Sequence, residues 1–333
     1  MSKHLSLFLG VTFVLVILCS LLLTHAAAWN GVRQNGAPWL QSADSGITIQ
    51  PAIITGTVSF SGDMAYHYAL EQCTIGPRPT GTEAGWQTGD YIINVLEEYE
   101  WSVTEQMFDY DELAVRNIVG KKGQGPIVLL GAHYDTRPIA DKDLETPHEP
   151  IIGGNDGASG VAVLLELARV LNETDLQQEI WLTFFDAEDR GHIDGWPYAI
   201  GSAYMAAHLQ ERPQCMVLVD MIGDADQNIF WEANSDPELL QEIWDVAAQL
   251  GYRQYFVPQY RWGLSDDHIP FLKQGIPAVD IIDFDYPHWH TTQDTCDQIT
   301  PASLERVGEV LQEWLSTGGK CSAGMVSETP QRQ

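Results

Sequence analysis

Four long apolar runs along the chain predict strands that are covered on both faces. Polar residues hardly interrupt these runs, as expected for inner strands of a parallel sheet with helices on either side. Amphipathic patterns of helical spacing lie between and after them, across 161–171 and 237–251. A third begins at Pro301, where Thr300 is a suitable N-cap. The apolar runs cover residues 126–135, 179–189, 215–224 and 277–285.

The alternation of strands and helices predicts an α/β fold, a single domain with a mostly parallel, mixed central sheet flanked by helices. The chain has 333 residues and is 44% hydrophobic, which is enough for one large core. We place this domain at residues 61–316. Residues 29–60, rich in Gly, Ser, Thr and Ala, are predicted to form a linker-like arm, and residues 317–333 a disordered tail.

The first 28 residues resemble an export signal. A short basic start precedes an uncharged apolar run, and three alanines end at Ala28. The segment is either a cleaved signal peptide or, because the run is long enough to span a bilayer, an uncleaved signal anchor. In both cases we expect the domain to be secreted or extracytoplasmic, with membrane contact only through this segment if it stays attached.

The charge balance narrows the classes of partner. The formal net charge is −29, which argues against binding to nucleic acid or to anionic membranes through a basic face. An acidic cleft would instead attract metal ions and the amino ends of peptides.

Four of the five cysteines lie beyond the N-terminal apolar run, namely Cys73, Cys215, Cys296 and Cys321. They permit three pairings, and an exported chain could form one or two disulfides. Cys215 begins a strongly apolar run, which favours a buried free thiol at that position.

Acidic or histidine side chains follow every predicted strand. Ligands of open α/β sheets bind outside the carboxyl ends of the strands, so we expect these groups to converge on one crevice. They are His133, Asp135, Asp186, Glu188, Asp189, Asp220, Asp283, Asp285 and, just beyond the last run, His290.

Carboxylates combined with histidines suit zinc. Asp156 lies in the Gly-rich stretch GGNDGASG and is either a metal ligand or a helix N-cap. His290 is preferred to His288 as a ligand, although a packed histidine is the common alternative. Asp294 and Thr291 would orient its imidazole.

The pair of carboxyl groups after the second run can divide the work of a metalloenzyme. Asp189 would coordinate a metal while Glu188, its pKa raised by burial and by neighbouring carboxylates, would exchange protons with the substrate. Asp266, in SDDHIPF, has either a catalytic role or a turn and capping role. The chain contains no G-x-S-x-G, P-loop or G-x-G-x-x-G motif, which argues against serine hydrolases and nucleotide-binding enzymes.

An ordered set of motifs resembles the M28 zinc aminopeptidase superfamily, and most of all its bacterial glutaminyl-peptide cyclotransferase (glutaminyl cyclase) branch. The resemblance covers about residues 76–315. The pair Glu188-Asp189 matches the bacterial cyclases, where aminopeptidases usually have two glutamates. The motifs are GAHYDTRP, GGNDGASGVAVLLELA, FFDAEDRG, WPYAIGS, LVDMIGD, DDHIPFL and WHTTQDT.

The resemblance implies roles for particular residues. One zinc would be bound by Asp156, Asp189 and His290. In two-metal aminopeptidases the positions of His133 and Asp220 bind a second zinc and Asp156 bridges, so two ions are the alternative. The resemblance also implies that Glu188 is the general acid/base. Asp220 and Asp266 would form an acidic network beside it, and Trp196 and Trp289 would line the substrate pocket.

The expected function is zinc-dependent conversion of an N-terminal glutamine into pyroglutamate with release of ammonia. The alternative is an M28-type aminopeptidase that hydrolyses N-terminal residues, and a third possibility is a non-catalytic exported binding protein. The expected partners are peptides or proteins with a free N-terminus.

Overall fold

The computed structural model describes residues 58–171 and 176–321. The predicted export signal, the arm up to residue 57 and the tail from residue 322 lie outside these ranges. None of the helices that the structure describes is long and apolar enough to cross a membrane.

The described ranges contain eight strands, seven α-helices and one short 3-10 helix. The strands are β1 Ser102–Tyr110, β2 Leu113–Gly123, β3 Ile127–His133, β4 Glu179–Phe185, β5 Cys215–Asp220, β6 Ile229–Glu232, β7 Phe256–Trp262 and β8 Ala278–Ile282. The α-helices are α1 Gly62–Ile75, α2 Glu83–Glu98, α3 Ala158–Leu171, α4 Ile200–Ala207, α5 Pro237–Gln249, α6 His268–Lys273 and α7 Pro301–Ser316, and the 3-10 helix is Cys296–Gln298.

Six strands form the central sheet in the order β1-β2-β4-β3-β5-β8. The pairs β4-β3, β3-β5 and β5-β8 are parallel, whereas β1 and β2 form an antiparallel edge beside β4. The four apolar runs are the four parallel strands, which confirms the predicted α/β class and mixed sheet. The edge hairpin was not predicted, because β1 is largely exposed and carries little apolar signal.

Alternate residues of the inner strands contact two separate cores. Val128 and Leu130 of β3 pack with α3, α5 and α7 on one face. Leu129 packs on the other face with Met205 of α4 and Phe271 of α6. Burial on both faces explains why these strands are continuous apolar runs. Polar side chains are therefore found at the carboxyl ends of these strands, beyond the buried runs.

The predicted helices are present. The second is α5, and the third, α7, begins at Pro301 with Thr300 Oγ1 accepting the N–H of Ser303, as the sequence predicted. The packed domain begins before residue 61. Phe60, the last residue of the predicted arm, is buried against Gly308 of α7.

Two disulfides join distant parts of the chain, Cys73 to Cys296 and Cys215 to Cys321. The prediction of a free thiol at Cys215 was therefore wrong. The apolar run showed that this position is buried but not which segment returns to it. Since Cys321 is buried, the packed domain extends at least to this residue, beyond the predicted end at residue 316.

Candidate active site

Two clusters of possible metal ligands lie at the carboxyl ends of the parallel strands. The first is His133, Asp156 and Asp220, and the second is Asp156, Asp189 and His290. In each cluster the three donor atoms lie within 4.8 Å of one another and the residues are buried. The strand order explains the convergence: His133 ends β3, Asp220 ends β5, and the other residues lie in loops at the same edge.

Asp156 belongs to both clusters. Its Oδ1 lies 3.1 Å from Nε2 of His133, and its Oδ2 lies 3.7 Å from Nε2 of His290. The same two nitrogens lie 3.3 Å from Asp220 Oδ1 and 3.2 Å from Asp189 Oδ1, respectively. The carboxylate therefore faces two sites at once, as a bridging ligand would.

The donor set fits a divalent cation. Four donor atoms are buried without a hydrogen bond to any group that the structure describes, namely His133 Nε2, Asp156 Oδ2, Asp189 Oδ2 and Asp220 Oδ1. Burial alone would lower the pKa of His133, but Asp220 and Asp156 raise it well above its ordinary value. A bound cation would take the place of that proton. Imidazole and carboxylate ligands in sets of three are typical of zinc.

Groups outside the clusters lie beside the Nδ1 atoms of both histidines. Nδ1 of His133 lies 3.1 Å from the backbone oxygen of Asp135, which can only accept, so Nδ1 carries a hydrogen and Nε2 is the nitrogen that can bind a metal once its own proton is displaced. Nδ1 of His290 lies 3.4 Å from Asp141 Oδ1. The sequence had suggested Asp294 or Thr291 for that role, and neither contacts the imidazole in this way.

Asp294 instead positions the loop that carries Asp156. Its carboxylate accepts the N–H groups of Asn155 and Asp156, at 2.8 and 3.2 Å, and the hydroxyl of Tyr286. The buried guanidinium of Arg78 binds the preceding part of the same loop, donating to the carbonyl oxygens of Ile152 and Gly153. Sequence reasoning missed Arg78, because a lone arginine near prolines gives no signal that it is buried.

The loop after β4 carries Glu188 and Asp189 in a constrained conformation. The carboxylate of Asp135 accepts both of their N–H groups at 3.1 Å. Ala187, just before them, is buried and has a φ of 60°, in the left-handed region that favours glycine. Arg137 donates to Asp189 Oδ1 at 3.3 Å. Strain of this kind persists only where surrounding contacts enforce it, and it concentrates at functional sites.

A cavity of about 180 Å³ adjoins both clusters. Its polar wall includes the cluster carboxylates, Glu188 and Asp266. Its apolar wall is formed by Met221, Leu264, Ile282, Phe284 and Trp289.

The two predicted pocket tryptophans have different positions. Trp289 lines the cavity. Trp196 is buried beside Val115 and Ala187, and its indole N–H donates to Asp111 Oδ2 at 2.9 Å. The structure therefore does not bring Trp196 to this cavity.

Two carboxyl groups beside the clusters have raised pKa values. Burial and the neighbouring Asp266 raise the pKa of Glu188 well above its ordinary value. Burial, together with Asp220, raises the pKa of Asp266 to about 7. A buried carboxyl group that changes protonation near neutral pH is suited to general acid/base catalysis.

The family model of "Peptidase family M28" matches residues 114–315. The chain belongs to peptidase family M28. Among solved structures, this M28 chain is similar to a leucine aminopeptidase precursor from Bacteroides thetaiotaomicron (33% identity, TM-score 0.75) and to Porphyromonas gingivalis glutaminyl cyclase (35%, 0.74). Each similarity covers 78% of this chain and 98% of the other. These neighbours confirm the predicted fold and the resemblance to both enzyme classes.

The chain matches only part of one relative. Aminopeptidase YwaD of Bacillus subtilis is 26% identical over 263 residues, which is 68% of this chain and 51% of that protein. The M28 chain thus spans about half the length of that relative. Family membership indicates an M28-type enzyme of the aminopeptidase or cyclase kind, and the residue clusters can bind metal.

Proposed function

We propose that this chain is a zinc-dependent glutaminyl-peptide cyclotransferase. The observation that carries the proposal is the composition of the cavity. One wall contains Glu188 and the Asp156–Asp189–His290 cluster, and the other wall consists of apolar side chains. Its volume of about 180 Å³ suits one uncharged side chain better than a length of peptide. The substrates would be peptides or proteins with an N-terminal glutamine, encountered outside the cytoplasm.

Asp156, Asp189 and His290 would bind the zinc ion, and these three residues also line the cavity. Zinc bound there would polarise the γ-carboxamide of the glutamine and stabilise negative charge on its oxygen. The acidic walls would attract the amino group of the substrate, and Trp289 and Phe284 would pack against its methylene groups.

Glu188 would transfer the proton that the reaction moves. The α-nitrogen forms a bond to the δ-carbon while its proton passes to the Glu188 carboxylate. Glu188 then returns that proton to the amide nitrogen, the original carbon–nitrogen bond breaks and ammonia leaves. Water is not a reactant.

The apolar wall contributes through orientation and exclusion of water. A glutamine side chain held against Ile282, Phe284 and Trp289 would have few conformations left, with its amine close to its own carboxamide. Fixing two reacting groups in a ring-closing pose can account for a large part of the acceleration. Excluding water also prevents hydrolysis of the same activated carbonyl.

One observation favours a second function, an M28-type zinc aminopeptidase. The cluster His133–Asp156–Asp220 offers three donor groups and shares Asp156 with the first cluster, so these residues would hold a second metal ion. Glu188 would then activate a water molecule against the first peptide bond, and the residue released could be leucine-like, given the apolar wall.

Mass spectrometry of two peptides distinguishes these functions. The purified full-length chain, loaded with zinc, is incubated with one peptide that begins with Gln and one that begins with Leu. The proposal expects loss of ammonia from the Gln peptide alone, with every peptide bond intact. Loss of the first residue from either peptide would establish an aminopeptidase instead. No change in either peptide would contradict the cyclase proposal and favour either another substrate or a binding protein.

A further inference from the structure

A second, larger cavity lies beside the one described above. Its volume is about 500 Å³, and it lies between β1, α4 and α6. Most of its lining is apolar: Phe108, Tyr110, Pro197, Ala199, Ile200, Ala203, Tyr204, Ala207, Ile269 and Pro270. A concave apolar surface of this size is a common form of ligand site.

The two cavities are adjacent. Tyr198, Ser265 and Asp266 line both of them. A peptide whose amino end occupies the first cavity must continue outward, and this shared boundary offers a route into the second. An extended chain advances about 3.3–3.6 Å per residue, so the side chains that follow the first residue by one or two positions come within reach.

Aromatic contacts hold the apolar walls in place. The ring of Phe108 stacks on that of Tyr204, with centroids 3.9 Å apart and planes 3° from parallel. The rings of Tyr110 and Trp196 make an edge-to-face contact, with their centroids 4.8 Å apart. Trp196 thus supports a wall of the second cavity from behind. A preformed site costs little ordering on binding, which favours a specific ligand.

We propose that this second cavity binds a large apolar side chain at the second or third position of the peptide substrate. The inference rests on the proposed function, in its cyclase or its aminopeptidase form, since both require a peptide with its amino end in the first cavity. The charged lining residues are few: Asp109, Lys273 and, at the boundary with the first cavity, Asp266. Most of the surface would therefore contact an apolar side chain.

The test compares peptides that differ at one position. Gln-Ala-Ala-Ala amide is compared with the peptides that have Phe at position two or position three. Burying much of a Phe side chain should raise kcat/KM by roughly tenfold, mainly through KM. Ala203→Trp fills the cavity from an exposed position on α4, and it should remove this preference while leaving the all-Ala peptide unaffected.

Ala302→Trp is the matched control, because Ala302 is an exposed alanine on α7, outside both cavities. This variant should keep the Phe preference. Equal kcat/KM for the Ala and Phe peptides, or a preference that survives Ala203→Trp, would overturn the inference while leaving the cyclase activity established.

If the Gln peptides are not cyclised, the cyclase proposal is wrong, but the role of the second cavity can still be tested. The same comparison is then made by isothermal titration calorimetry of these peptides with the zinc-loaded wild type and both tryptophan variants. Tighter binding of the Phe peptides that is lost only in Ala203→Trp supports the inference. The absence of any Phe-dependent affinity overturns it.

Discussion

Asp156 presents one carboxylate oxygen to Nε2 of His133 at 3.1 Å and leaves the other facing His290. Each side is completed by one further carboxylate, Asp220 on the first and Asp189 on the second. Because Asp156 is common to both, its removal would damage both sites. Substitutions of the unshared ligands report on each site alone.

Zinc content should distinguish the two sites. Under the cyclase proposal, zinc occupies the Asp156–Asp189–His290 site, so Asp189→Ala should lose its metal and its activity. His133→Ala should retain one zinc per chain. Metal analysis of the dialysed variants measures both. Retention of zinc by Asp189→Ala would contradict its role as a ligand, and loss of one of two ions from His133→Ala would favour the two-metal aminopeptidase.

Glu188→Gln should abolish proton transfer without disturbing the metal. The amide keeps the shape of the side chain but cannot accept the proton, so kcat should fall by roughly 10²–10⁴. Steady-state kinetics and metal analysis of the same preparation provide the measurement. Zinc that disappears together with activity would show that Glu188 is a ligand rather than an acid/base.

Asp141→Asn should weaken metal binding from outside the ligand set. Asp141 Oδ1 lies 3.4 Å from Nδ1 of His290 without a hydrogen bond between them and accepts from Arg137 at 2.7 Å, so its negative charge attracts the Nδ1 side of the imidazole. Loss of such a contact typically lowers metal affinity by about 10–100-fold. Competition with a chromophoric chelator measures the change.

Asp194→Asn is the control for Asp141→Asn, since Asp194 is an exposed partner of Arg190 outside the clusters. Its zinc affinity should equal that of the wild type. Equal zinc affinity in the two variants would show that Asp141 does not position His290.

The buried carboxyl group of Asp283 should make stability depend on pH. Burial raises its pKa to about 7, although its carboxylate accepts the N–H of Asn228 at 2.7 Å. The folded state therefore binds this proton more tightly than the unfolded state, whose aspartates titrate near 3.9. Its contribution is present below about pH 4 and is lost as the pH rises toward 7.

Asp283→Asn removes that titration and keeps a neutral side chain. Between pH 4.5 and 7.5 the wild type should lose roughly 2–4 kcal/mol more of its free energy of unfolding than the variant does. Urea unfolding of both proteins at the two pH values provides the comparison. Identical pH dependence would show that Asp283 is ionised in the folded protein at both pH values.

Much of the architecture follows from local sequence. The parallel strands were predictable because burial on both faces requires continuous apolar residues, and α7 was predictable because Thr300 and Pro301 mark a helix start. The edge strand β1 was not, since an exposed strand needs no such pattern. The side chains that meet at the carboxyl ends of the strands could be predicted as a group, because strand direction alone places them at one edge.

The sequence by itself therefore determined the fold class and the edge of the sheet at which acidic and histidine side chains gather, since both depend on local periodicity and strand direction. Only the tertiary structure decided their partners: Asp141 beside His290, Cys321 bonded to Cys215, and Trp196 behind Tyr110 instead of in the first cavity. These pairings depend on how segments far apart in the chain meet when the core packs, and no local pattern carries that information.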